Sequence, residues 1–347
     1  MLDSQWGFAV RFMAVFFILA GSLWLINSLA WLIGLLLVSS LIVYILYPFL
    51  NRLQRRFNLN HTLSTIIVFC GFLLFCILIV GLFVPVIYTE VTELIDNFPH
   101  YMGLFQEYLA WFSEQTINLQ VEDEFRGFLA SLSDNIYLAL EYLADASLIL
   151  ISRAVDFFLV LLLVFFLLHD FHEVRAQLIN LVPPAKRDLP IKLMDIIDTN
   201  VGTFIRGSLI RCLLVGIMTG VALFIIGMPY ALLLSLLAGA FNFILYIGPY
   251  IAAVPAIILG FSPLTPSPLL IIAIYIAIQL IDGLLLTPII LGRAVRLKPI
   301  TVILSILAGG RLAGLLGMVL AVPVAGMIKS LIDLVRESPV YRDEVES

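Results

Sequence analysis

From Thr62 to Ile87 the chain carries no charged side chain, and several other runs are nearly as apolar. Coiled as an α-helix, this run is about 39 Å long, more than the ~30 Å hydrocarbon core of a bilayer. A soluble domain cannot cover so many consecutive apolar residues. A bilayer can, and there a helix satisfies every backbone polar group within itself. Across 347 residues, 62% are hydrophobic and only 12% charged, so the same reasoning extends to the whole chain. The fold class is all-α, a polytopic helical membrane protein. The net charge of −5 decides little, because the charges are segregated by region. Cys70, Cys76 and Cys212 fall inside apolar runs and read as small buried hydrophobes, not as a disulfide framework or zinc site. The N-terminus has no basic stretch followed by a small-residue cleavage site, so its first run is expected to be retained as a span.

Residues 1–88 read as a three-span membrane region. Runs at 12–26 and 29–47, parted by Asn27-Ser28, predict a tight helical hairpin, and 62–87 predicts a third span. The loop between them holds Arg52, Arg55 and Arg56 and no acid, which puts it and both termini on the cytoplasmic side. Residues 89–146 form an acidic extracytoplasmic insert with Arg126 as its one strong base. Its apolar residues recur at helical spacing, first Tyr101, Leu104, Phe105, Tyr108 and Phe112, then Phe125, Phe128, Leu129 and Leu132. Such stripes belong to amphipathic helices, either packed on each other or covered by another copy of the chain. Residues 147–206 hold a fourth span at 148–168, then His169, Asp170, His172 and Glu173. These could ligate a metal, but a polar cuff at headgroup level is the preferred reading, so no metal is expected. Beyond Pro183-Pro184, an amphipathic helix with Leu189, Leu193 and Ile196 on one side and Lys186, Arg187 and Lys192 elsewhere suits the inner leaflet. Residues 336–347 read as a cytoplasmic tail.

The transport core is read at 207–335, because there the chain repeats itself. Residues 229–240, PYALLLSLLAGA, are echoed by 299–310, PITVILSILAGG, and Ala253-Val254-Pro255 by Ala321-Val322-Pro323. Each unit, 207–261 and 269–334, pairs a span with an apolar segment broken by glycine or proline. Breaks are expected at Gly239, Gly248-Pro249, Gly309-Gly310 and Pro323. If each broken segment is a re-entrant hairpin, the first opens outward and the second inward, an inverted repeat. Irregular backbone at membrane depth survives only where protein or a water-filled cavity satisfies it, and paired breaks then frame a substrate site.

Few polar groups interrupt this core. Asp282, three residues after Gln279, lies within the predicted span 269–291; an intramembrane carboxylate is costly and points to ion coupling or to a structural ion pair. Arg311, at the predicted tip of the second hairpin, is the expected partner. Asn242, Ser235, Ser305 and Thr287 add uncharged donors and acceptors, although serines in apolar helices commonly bond back to their own helix. Enzyme readings find no support, since HExxH, GxxxxGK and GxSxG are all absent from the sequence. No cofactor is expected, nor is a nucleic-acid partner.

Several motifs resemble one family. Phe204-Ile205-Arg206-Gly207-Ser208 resembles its Y-[IL]-R-G-x start of a span, and Tyr246-Ile247-Gly248-Pro249-Tyr250-Ile251 with Val254-Pro255-Ala256 resembles its PYIGPxIxxIPA element. Gln279-Leu280-Ile281-Asp282-Gly283 with Pro288, Gly292, Leu297 and Pro299 resembles Q-x-[ILV]-[DE]-x … P-x-[IL]-x-G … L-x-P. Gly314 through Pro323 resembles GxxGMxLAVPxxA. The whole chain is similar to the AI-2E family of transporters, the PerM-type permeases, departing from the pattern at Leu245 and Arg311. The resemblance implies about eight membrane segments, an extracytoplasmic helical insert, an inner-membrane location and a homo-oligomer, with a pentamer as the implied form. It also implies a secondary transporter that exports an autoinducer-2-like solute or exchanges ions with proton or sodium coupling. A passive pore and a non-transporting assembly protein are the alternatives.

Overall fold

A computed structural model describes residues 29–116, 127, 131, 137–138, 141, 154–180, 187–291 and 297–336. The predicted span at 12–26, the second apolar stripe of the insert, the Pro183-Pro184 break and the basic loop after Leu291 lie outside the described residues. Where described, the chain is helical: α1 Ala30–Phe57, α2 His61–Thr116, α3 Ala154–Asn180, α4 Asp188–Ile197, α5 Thr203–Ile225, α6 Ala231–Phe241, α7 Gly248–Leu259, α8 Pro268–Ile281 and α9 Pro299–Arg336. Wider π turns extend two of them, Asp198–Gly202 between α4 and α5, and Asp282–Leu291 after α8. Five of these stretches are long and apolar enough to cross a bilayer. Large apolar side chains such as Phe75, Leu82, Phe224 and Ile289 are exposed, as suits a protein solvated by lipid.

The chain divides into two compact units, one of Met1–Phe69 with Ser152–Val174 and one holding the remainder. In the first, α1 meets the start of α3: Val43, Leu46, Leu50, Val164 and Leu168 are buried, and Ser39 Oγ donates to the Val160 carbonyl. His61 Nε2 lies 2.7 Å from the His169 carbonyl oxygen, Gln54 contacts His61 Nδ1, and His169 pairs with Asp170 at 2.6 Å. These histidines are therefore tied into helix-end hydrogen bonding.

The second unit contains the candidate site. α2 does not stop at the end of its apolar run but continues to Thr116. In that extension Val91, Leu94, Phe98 and Met102 recur on one face and are buried against Leu223, Met228, Leu234, Leu259 and Ile271. This face, with Tyr101 and Phe105 of the predicted first stripe packed beside it, covers the open end of the segment 231–259, whereas Tyr108 stays exposed. Glu90 adds a polar fastening: its carboxylate accepts the Leu233 N–H at 2.7 Å, one of the amides that the first turn of α6 leaves unsatisfied.

Both broken segments reverse direction. α6 and α7 have 11 and 12 residues, about 17 and 18 Å, and neither crosses a bilayer alone. The turn between them runs from Asn242 to Ile247. A Cβ on Gly248 would stand 1.7 Å from the Phe241 carbonyl oxygen, so only glycine permits this closure, and Pro249 then starts α7 where its missing N–H is not needed. Gly239 is not a break. It sits inside α6 against Gly216 of α5, and with Ser235 and Gly220 forms a facing pair of small-xxx-small stripes that bring the two helices close.

The second reversal also falls elsewhere than the sequence predicts. By length and composition 299–333 passes for one span, yet Ala313 and Gly314 leave helical geometry, Gly314 with φ +57°. That left-handed conformation favours glycine. Gly309 and Gly310 lie five and four residues earlier, on the arm: a Gly309 Cβ would come 2.3 Å from the Gly317 carbonyl oxygen, and Gly310 faces Met318. These glycines let the two arms touch; they do not turn the chain. Pro323 sits within the return arm, with no departure from helical geometry there. The first hairpin packs along α5, whereas the second packs on α4 and the π turn after it. Of the cysteines only Cys212 is buried, and Cys70 is exposed.

Candidate functional site

The polar centre of the second unit forms where α5, the turn of the first hairpin and the π segment after α8 meet. α5 brings Arg211, 4% exposed, and the π segment begins at Asp282, 2% exposed. Arg211 Nη1 lies 3.2 Å from Asp282 Oδ2 and 3.4 Å from Thr287 Oγ1. Its Nη2 donates to the backbone carbonyl of Asn242. That carbonyl closes the C-terminus of α6, where acceptors lack helical partners and the helix dipole is negative. One guanidinium therefore holds a carboxylate, a hydroxyl and a helix end from two different elements.

The arrangement is not saturated. Asp282 Oδ1 and Arg211 Nε are buried without hydrogen-bond partners. The Asn242 side-chain amide lies near the carboxylate without completing a hydrogen bond to it. At 3.2 Å the ion pair is a single contact, longer than the 2.7–2.9 Å usual for charge-assisted bonds. A widened helical turn carries the acid: in π geometry each amide reaches one residue further back, and such bulges gather at functional sites. Pro288 lies inside the same segment.

The other predicted residues separate. Asp282 is not paired with Arg311, which is exposed on the first arm of α9; its partner is Arg211. Ser235 is buried and bonds back to the Leu232 carbonyl, and Ser305 is half-buried and bonds back to the Thr301 carbonyl, so both are engaged with their own helices. Gln279 lines a cavity of about 420 Å³ beside the charge pair. Arg211 itself was not among the predicted residues, although it is the only charged residue between Gly207 and Met228 and the intramembrane rule that selects Asp282 selects it equally.

Residues 12–337 match the family model described as the AI-2E family transporter. The chain is 29% identical over 309 residues to "Putative transport protein YrrI" of Bacillus subtilis, covering 85% of this chain and 84% of that protein. It is 29% identical over 337 residues to "Putative permease PerM" of Escherichia coli, covering 92% of each. With "AI-2 transport protein TqsA" of Escherichia coli it shares 35% identity over 119 residues, 34% of each chain.

Proposed function

The chain belongs to the AI-2E transporter family, and on that premise we propose that it is a secondary transporter in which Asp282 carries the coupling charge. The observation that carries this reading is the buried Arg211–Asp282 pair tied through Arg211 to the turn of the first hairpin. In the proposed cycle a proton or sodium ion reaches Asp282 and neutralises it. Arg211 then loses its counter-charge, and a buried unpaired charge is unfavourable enough to drive rearrangement. The element free to respond is the turn 242–247, whose reversed arms are each too short to anchor it across the bilayer. Access to the site changes sides as that turn shifts.

The proposed cargo is a small organic solute of the autoinducer-2 kind, named for TqsA, moved outward against proton or sodium entry. In this reading the two hairpins, with α5 and α8 before them, form an inverted pair of transport units at 207–261 and 269–334. Residues 1–88 and 147–206 form the frame, and 89–146 the extracytoplasmic insert. The basic loop at Arg52, Arg55 and Arg56 supports cytoplasmic termini in an inner membrane, and a homo-oligomer is what the family resemblance implies.

Reconstituted vesicles loaded with autoinducer-2 test the function. Efflux that saturates with solute concentration and accelerates under an imposed proton or sodium gradient supports a coupled transporter. Flux that rises without saturation and ignores both gradients would make the protein a passive pore, and no flux above protein-free vesicles would remove this cargo.

A further inference from the structure

The C-terminal end of α1 carries a basic face that nothing described in the first unit neutralises. Val43, Leu46 and Leu50 turn one side of this helix into the core, and Gln54 continues that side to His61. Arg55 and Arg56 follow Arg52 by three and four residues, so the three side chains are neighbours on the opposite side. All three are exposed, and among the described residues none of them makes a hydrogen bond or an ion pair. Two acids lie at this end of α3 in the same unit. Asp170 pairs with His169, and Glu173 is exposed without an ion pair.

Two simpler roles leave these guanidinium groups unused. Cations in a last turn favour the helix dipole, and Arg55 and Arg56 lie there, but that role omits Arg52 and engages none of the three side chains. An orientation signal needs basic residues near the end of a span, not three grouped on its outward side. The apolar part of the helix leads directly to the group. Leu37, Leu41, Ile45 and Phe49 recur every four residues, and none of them is buried. At that spacing they form one ridge along the helix, and Arg52 and Arg56 flank its continuation. From Ala30 to Leu50 no side chain is charged. That stretch is about 31 Å long, enough to fill the ~30 Å hydrocarbon core, so Arg52 emerges at headgroup level. An apolar ridge that ends in three free cations complements an amphiphile with an anionic head.

We propose that this face of α1 binds one anionic phospholipid of the phosphatidylglycerol class. An acyl chain lies along Leu41, Ile45 and Phe49, and the phosphodiester sits among the three guanidinium groups, whose planar forks suit phosphate oxygens. Phosphatidylethanolamine fits less well, because its ammonium would meet the same arginines. The site involves neither cargo nor coupling charge, so it stands or falls separately from the transporter reading.

Native mass spectrometry of the full chain in detergent, titrated with lipid, tests this. Dioleoyl phosphatidylglycerol should bind saturably at one tight site per chain, about tenfold more tightly than dioleoyl phosphatidylethanolamine. A basic residue beside an anionic membrane surface is worth about fivefold in affinity. Arg52→Gln and Arg56→Gln each keep two arginines, and with them the orientation signal, and each should weaken phosphatidylglycerol binding by about that factor. Replacing all three arginines by glutamine should weaken it by about a hundredfold. Arg311→Gln, which removes an exposed arginine of the second hairpin, should leave it unchanged. Equal affinity of the wild-type chain for the two lipids would overturn the proposal without recourse to any variant. So would single variants that bind phosphatidylglycerol as the wild type does. Displacement of the lipid by equimolar glycerophosphoglycerol, its headgroup without acyl chains, would assign the arginines to soluble phosphates and overturn the lipid site.

Discussion

Removing both partners of the Arg211–Asp282 pair should cost clearly less than the two single removals added together. With Arg211→Gln, the Asp282 carboxylate stays buried at 2% exposure and loses its counter-charge. Stranding one member of a buried pair costs about 3–5 kcal/mol, and the Asn242 carbonyl, also left unpaired, adds about 1 kcal/mol. Asp282→Asn is milder. Asparagine still offers Arg211 an oxygen, and the guanidinium keeps Asn242 and Thr287, so its cost should be lower by about 1–2 kcal/mol. In the double variant neither charge is stranded. Its cost should therefore fall short of the summed single costs by about 2–3 kcal/mol, the upper range for residues in contact. Equilibrium unfolding of the four proteins in mixed micelles, titrated with sodium dodecyl sulfate and followed by circular dichroism, gives the cycle. Additivity within about 0.5 kcal/mol would show that the two side chains do not act as an energetic unit, and the reasoning from the pair would fail.

Three further substitutions probe the scaffold. Gly309→Val places a side chain where the Gly317 carbonyl stands, and should destabilise the second hairpin by about 1–3 kcal/mol in the same unfolding assay. Gly103→Ala, in a helical position with nothing within 4 Å of the added methyl, should instead stabilise by about 0.5–1 kcal/mol. Glu90→Ala removes the acceptor for the Leu233 N–H; hydrogen exchange at that amide should accelerate by an amount matching about 1–2 kcal/mol, with Glu90→Gln losing less.

Helical class and the spans predicted at 29–47, 62–87, 207–226 and 269–291 were legible because the apolar runs are long and lipid tolerates little else. Asp282 was legible for the same reason: a lone acid in such a run must be explained. Arg211 carried the same signal, but its contacts with Asp282, Asn242 and Thr287 span 31 to 76 residues of sequence, and no periodicity reports them. The hairpin turns show a different limit. Ser235-x3-Gly239 and Ser305-x3-Gly309 are near-identical strings with different jobs: the first packs on α5, the second on its own return arm. Among Gly309, Gly310, Gly314 and Gly317, only the position with positive φ turns the chain, and four glycines within nine residues do not advertise which one that is.

The account's central claim is that Asp282 links ion entry to solute movement. Efflux of autoinducer-2 from vesicles containing Asp282→Asn, compared with the wild-type chain under proton and sodium gradients, tests it most directly. The predicted result is that the variant still passes solute down its own concentration gradient but no longer responds to either ion gradient. A variant that keeps the full wild-type response to an imposed gradient would contradict the claim.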